Sequence, residues 1–110
     1  MTDTERHTAL LAELEREAKT TVHMSRQEAR AYEDQAGGDY GFADQMVARL
    51  EGIRTQARND AASFVAAMPF DGDFAAFVEA ALKGLAERSD RATHSDRIGI
   101  AAVVQTIQRP

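Results

Sequence analysis

The sequence contains no cysteine, no tryptophan and only two prolines among its 110 residues. The absence of cysteine excludes disulfide bonds, thiol nucleophiles and cysteine-ligated metal sites. No apolar run approaches the roughly 20 residues that cross a bilayer. Residues 1–17 carry charge throughout and lack the basic start and apolar core of a signal peptide. We therefore expect a cytoplasmic protein that does not enter a membrane.

Few residues break helices, alanine is abundant, and β-branched residues are scarce before the C-terminal segment. This composition favours helix throughout. A chain of this length suits one domain, residues 1–110, with a single core. The sequence predicts an all-α protein, a small bundle of four to five helices packed around a central helix.

The central helix is predicted over residues 42–68, where apolar side chains recur at steps of three and four. Ala57 and Ala61 narrow this stripe in the middle, where another backbone could approach closely. The large side chains on either side should form the core. The stripe comprises Phe42, Met46, Leu50, Ile53, Ala57, Ala61, Phe64 and Met68.

The residues before the central helix allow two interpretations. Thr2 and Glu5 have the spacing of a capping box, and the pattern that follows favours one long helix with a weak middle, ended by Gly37 and Gly38. The β-branched run at residues 20–22 and a second capping box at residues 25–28 support two shorter helices, broken near His23. We expect the long helix, with two shorter helices as the alternative.

After the central helix, Pro69 and the turn at residues 70–73 should end one helix and start another over residues 74–88, capped by Asp71 or Asp73. Residues 96–108 alternate like a strand but also recur like a helix. A lone strand would lack a hydrogen-bonding partner in an otherwise helical chain. We therefore predict a helix there, with Ser95 as its N-cap.

Histidines and acids provide little that indicates catalysis. Asp3 with His7, and Asp90 with His94, have the spacing to share a metal ion or a proton, but no glutamate stands three residues before a histidine, as a di-iron bundle requires. The serines have no nucleophile-elbow context, and the glycines form no phosphate-binding loop. We predict no catalytic residue, no cofactor and no metal site.

The net charge of −5 is unevenly distributed. Residues 1–82 hold 15 acids and 8 bases, whereas residues 83–110 hold 3 acids and 5 bases. A net negative chain is repelled by nucleic acid. The basic C-terminal part keeps a DNA-binding regulator open as an alternative, through Arg88, Arg91 and Arg97.

The acidic surface predicts a protein partner that carries a basic patch. The two turns that flank the central helix place carboxylates beside aromatic side chains, a common composition for an interface. Alternatively, the two aromatics are staples packed against their own helices. The predicted partner-binding residues are Asp39, Tyr40, Asp44, Phe70, Asp71 and Asp73.

These observations predict a function in binding without catalysis, as an inhibitor or an adaptor of another protein. Small size, acidity and the lack of recognisable catalytic groups fit a phage or mobile-element inhibitor of a host defence complex, of the anti-CRISPR type. Besides the DNA-binding regulator, a helical subunit of a larger enzyme or secretion assembly is a further alternative. The sequence does not distinguish inhibitor from adaptor, and it leaves the oligomeric state open.

Overall fold

A computed structural model of the protein describes residues 1–109, which form helices and no strand. The all-α prediction is confirmed, and residues 96–108 are helical as expected. The five helices are α1 (Asp3–Glu17), α2 (Arg26–Gln35), α3 (Tyr40–Ala67), α4 (Phe74–Asp90) and α5 (His94–Gln108).

Each helix starts at a residue whose side chain accepts a hydrogen bond from the first turn, which satisfies a backbone N–H that has no partner within the helix. The capping box of Thr2 and Glu5 is present in both directions. Asp39 and Asp73 cap α3 and α4 as predicted. Ser95 does not cap α5, because the helix already begins at His94. The caps are Thr2, Ser25, Asp39, Asp73 and Thr93.

The expected long first helix is wrong, and the alternative of two shorter helices is correct. The chain leaves the helical conformation after Glu17 and re-enters it at Arg26. Between these residues, backbone N–H groups donate hydrogen bonds to side chains of α3. Val22 N donates to Thr55 Oγ1 at 2.9 Å, and Met24 N donates to Glu51 Oε2 at 2.6 Å. These bonds replace the ones that a continuous helix would make.

The core lies between α1, α3, α4 and α5. Its largest fully buried side chains are Val65, Leu85 and Val103, one from each of the last three helices. The apolar side chains of one face of α4 and one face of α5 are buried or half-buried against this cluster. The buried members are Leu10, Leu14, Ala61, Ala62, Val65, Phe77, Ala81, Leu85, Ile100, Val103 and Ile107.

Helix α5 lies directly on the backbone of α3. A Cβ atom at Gly99 would overlap the carbonyl oxygen of Arg54 and would lie 2.7 Å from Arg58 N and 2.8 Å from Ala57 Cβ. Only a residue without a side chain fits there. The prediction that another backbone approaches closely beside Ala57 is thus confirmed.

The predicted buried stripe of α3 is only partly correct. Ala61 is buried, and Phe64 packs half-buried against the core. Leu50 is only half-buried, however, while Phe42 and Ile53 are 53% and 36% exposed. The buried face is displaced by about one residue around the helix, because α5 docks beside Ala57. It comprises Ala43, Arg54, Arg58, Ala61, Ala62 and Val65.

The first half of α3 extends beyond this core and is covered on one side by α2. We call residues 26–53 the arm. Gly37 and Gly38, at φ 63° and 90°, make the turn between its helices, in the left-handed conformation that glycine adopts readily. No residue of α2 is fully buried. The arm gives the molecule its elongated shape of 55 × 25 × 20 Å.

The contact at Gly99 predicts that Gly99→Ala destabilises the protein by about 1–3 kcal/mol, the usual cost of overpacking. Gly52→Ala is the matched control, since its Cβ would meet no atom within 4 Å in the middle of the same α3. We expect that change to stabilise by about 0.5–1 kcal/mol. Urea unfolding followed by circular dichroism measures both values, and equal midpoints for the two variants would contradict the close helix contact.

The burial pattern predicts unequal effects for two leucine truncations. Leu85→Ala should lower the free energy of unfolding by about 2–5 kcal/mol, because a fully buried side chain is lost and a cavity remains. Leu50→Ala removes the same atoms from a half-buried position on the arm and should cost less than half as much. If thermal melts show Leu50→Ala to be the more harmful change, the arm belongs to the core.

Candidate protein-binding surface

A row of polar side chains fixes the arm to the rest of the molecule. Glu51, Arg54, Thr55 and Arg58 recur at helical spacing and therefore share one face of α3. Arg54 and Arg58 are only 2% and 5% exposed, although they lie on a face where apolar residues are the norm. We call these four residues the polar seam. The apolar pattern of the sequence did not reveal it.

The polar seam binds the segment between α1 and α2. Besides the bonds that Glu51 and Thr55 accept from this segment, Arg58 donates to the carbonyl oxygen of Thr20 and, at 3.2 Å, to its hydroxyl. Its Nε also donates to Asn59 Oδ1 at 3.2 Å. Burial of a charged side chain requires such partners. The arginine thus holds the end of α1 against α3.

Arg54 ties α2 to α3. Its Nη2 donates to Glu28 Oε2 at 3.0 Å. This hydrogen bond, and secondarily the charge of Arg54, lowers the pKa of Glu28 below its ordinary value. Arg54 Nε finds no hydrogen-bond partner among residues 1–109, so the guanidinium depends mainly on Glu28. The ion pair, with one buried member, thus helps to hold α2 against α3.

The free end of the arm displays half of the predicted partner-binding residues. Tyr40 is 65% exposed, and Asp39 and Asp44 are exposed beside it. Asp39 Oδ1 also accepts a hydrogen bond from Phe42 N at 3.1 Å, which holds the start of α3 in place. These three predicted residues thus lie together, and Asp34 at the end of α2 is close to them in sequence. We call Asp34, Asp39, Tyr40 and Asp44 the arm tip.

The other three predicted residues lie at the opposite end of α3. A helix of this length separates the two turns by about 40 Å. Phe70 stacks on the ring of His7, with centroids 4.2 Å apart, and meets Phe77 edge-on at 5.9 Å. These rings leave Phe70 half-buried, so its side chain is less accessible to a partner than that of Tyr40.

The carboxylates near Phe70 have local structural roles. Asp71 Oδ1 accepts from Asp73 N at 3.2 Å, and Asp73 Oδ1 accepts from Ala76 N at 3.0 Å, which caps α4. Both side chains remain exposed. The six predicted residues therefore form two separate groups, and the group at the arm tip has the more accessible aromatic.

A groove of about 600 Å³ between α3, α4 and α5 was not predicted. Its floor is apolar and its rim carries charges of both signs. Arg88 lies over the ring of Phe64 at 4.4 Å from the centroid, and Gly84 leaves room for that ring. The groove opens at Ile53, at the base of the arm. Its principal lining residues are Ile53, Ala57, Asp60, Phe64, Arg88 and Ile100.

The C-terminal arginines have contacts within the fold. Arg88 covers Phe64, Arg91 lines the groove, and Arg97 Nε donates to the carbonyl oxygen of Ser89 at 2.8 Å. These contacts give the three arginines positions within the fold that do not require a nucleic-acid partner. They leave the DNA-binding alternative without a specific observation in its favour.

Asp3 and His7, one of the two histidine and acid pairs considered from the sequence, have separate partners in the structure. Asp3 Oδ2 accepts from Phe74 N at 3.2 Å, while His7 lies between aromatic rings. His23 Nδ1 lies 3.3 Å from Glu51 Oε2 at the edge of the polar seam. Within residues 1–109, no three histidine, aspartate or glutamate side chains are grouped so that they could hold a metal ion.

Comparisons of the chain with protein-family models, with curated proteins and with solved structures find no match. None of the helices in residues 1–109 combines the length and apolar character that crossing a membrane requires.

The ion pair between Arg54 and Glu28 predicts a pH dependence of stability. Because the pKa of Glu28 is lowered in the folded protein, its contribution is present above its ordinary pKa of 4.5 and is lost as the pH falls through the lower folded value. Glu28→Gln should therefore be less stable than the wild type near neutral pH, and the difference should shrink below about pH 4.5. Urea midpoints between neutral and acidic pH measure this.

Glu79→Gln is the control for that series, because Glu79 is an exposed glutamate on α4. It should follow the wild type at every pH. A constant difference between Glu28→Gln and the wild type across the acid range would contradict the role of the ion pair.

Proposed function

We propose that this protein acts by binding another protein, as an inhibitor or an adaptor and not as an enzyme, and that the arm tip makes the contact. The observation that carries the proposal is the exposure of Tyr40, 65%, between the carboxylates of Asp39 and Asp44. Tyrosine is enriched among residues that dominate binding energy, since its ring buries a large area and its hydroxyl can hydrogen-bond.

The charges around Tyr40 favour a partner with a basic patch. Asp34, Asp39 and Asp44 give the tip a negative field without a basic residue in the turn between the arm helices. Carboxylates at the rim of an interface mainly accelerate encounter, whereas a buried aromatic anchor slows dissociation. The tip thus combines both elements of a specific contact.

The construction of the arm supports binding without large rearrangement. The turn at Gly37 and Gly38 is short, and the polar seam of α3 binds both α2 and the segment before it. An anchor held on a helix loses little freedom when it binds, so more of its contact energy appears as affinity.

The more specific proposal is that the protein inhibits a host defence complex, as an anti-CRISPR protein does. It rests on the small size and the acidity of the chain. The groove between α3, α4 and α5 gives such a protein a concave surface besides the arm tip, with charges of both signs that do not resemble a nucleic-acid backbone. As an adaptor or as an inhibitor, the protein would contact its partner through the arm tip.

A photo-crosslinking amino acid in place of Tyr40, expressed in cells of the source organism, should capture a partner protein. The same substitution at Gln105, an exposed position on α5, should not. With the captured partner purified, Tyr40→Ala should mainly accelerate dissociation, and association should slow as salt concentration rises. Surface plasmon resonance separates the two rates.

A different outcome would refute the proposal. If Tyr40→Ala leaves both rates unchanged while lowering the melting temperature, Tyr40 is a staple of its own helix and the arm tip is not the interface.

A further inference from the structure

A second exposed surface runs along α3, on the opposite side of the helix from Tyr40. Phe42 follows Tyr40 by two residues, which turns its side chain by about 200° around the helix axis. Phe42 is 53% exposed and Ile53 is 36% exposed, and half-buried Met46 lies between them. We call Phe42, Met46, Arg49 and Ile53 the α3 edge. An apolar edge of this kind is typical of an interaction site.

The α3 edge continues into the groove. Ile53 belongs to both, and Phe64 lies at the far end of the groove floor. Phe42 and Phe64 are each eleven residues from Ile53, which corresponds to about three helical turns and about 16 Å in either direction. The two aromatics therefore lie on nearly the same side of α3, at equal distances from Ile53.

This symmetry fits a second copy of the same chain. When two α3 helices lie antiparallel, with a two-fold axis beside Ile53, each Ile53 meets the other. Phe42 of one copy then reaches the groove beside Phe64 of the other, and the same contact is made twice. The arm of each copy then lies in the groove of the other.

The charges agree with the same alignment. Arg49 and Asp60 are exposed, and eleven residues also separate them, so they lie on one flank of α3. In the antiparallel arrangement, Arg49 of one copy lies within about 5 Å, along the axis, of Asp60 of the other. Within residues 1–109 Arg49 forms no ion pair, and Asp60 accepts only from Gln56 Nε2, at 2.9 Å. Two complementary pairs result.

We propose that this protein forms a two-fold symmetric dimer through the α3 edge, with Phe42 of each copy seated in the groove of the other. The dimer leaves the face with Tyr40 and Asp44 uncovered on both arms. It is therefore independent of the proposed partner at the arm tip, and it would present two such tips.

Sedimentation velocity of the full chain over a wide concentration range should show a species of twice the chain mass of 12.0 kDa. Arg49→Asp and Asp60→Arg should each weaken the dimer about tenfold or more, because both symmetric pairs become repulsive. Mixing the two variants should restore dimerisation, because in a mixed dimer the two introduced charges face each other and the unchanged Arg49 faces the unchanged Asp60. Tyr40→Ala should leave self-association unchanged.

A disulfide test does not depend on charge. Because the chain has no cysteine, Ile53→Cys introduces a single thiol beside the two-fold axis, where two copies should link readily under mild oxidation. Gln105→Cys, on the exposed face of α5, is the control and should remain unlinked at the same concentration.

A monomer at all concentrations would overturn the proposal, as would a dimer that neither charge reversal weakens or a mixture of the variants that stays monomeric. Failure of Ile53→Cys to form linked dimers would have the same consequence, because the groove would then bind an unrelated protein and not a second copy.

Discussion

The close contact between α5 and α3 at Gly99 is the constraint on which the rest of the structure depends. Without a side chain at this position, the backbone of α5 rests between Arg54 and Arg58. Close helix contact of this kind gains dispersion energy over many atoms. It also selects the side of α3 that is buried, and consequently it turns Phe42 and Ile53 outward although they are among the most apolar residues of the helix.

The buried arginines are a direct consequence of that choice. Once Arg54 and Arg58 lie on the inner side of α3, their guanidinium groups must find acceptors, because an unpaired buried charge is costly. Thr20 and Glu28 provide them. The chain between α1 and α2 is therefore drawn along α3 in a non-helical conformation, and α2 is placed where Glu28 reaches Arg54. A packing requirement at one glycine thus determines where the arm is attached.

The sequence predicted those features that depend on neighbouring residues. The helix ends at Gly37 and Pro69 and the caps at Thr2 and Asp39 follow from local backbone chemistry. It did not predict the buried face of α3, because tertiary contacts with α5 decide it. The polar seam had a signal, since Glu51, Arg54, Thr55 and Arg58 recur at helical spacing, but a solvated face gives the same pattern. At the candidate site, the exposure of Tyr40 was predictable, whereas the stacking of Phe70 on distant His7 was not.

The attachment of α2 has a consequence for the motions of the protein. Since no residue of α2 is fully buried, detaching this helix exposes less apolar surface than separating the core helices would, and it breaks the ion pair with Arg54. We therefore expect opening at α2 to cost less free energy than global unfolding. With α2 detached, the side of α3 that this helix covers, from Ala43 to Arg54, becomes accessible to solvent. In the structure, one short helix thus conceals a further surface of α3, which only a conformation with α2 detached would present.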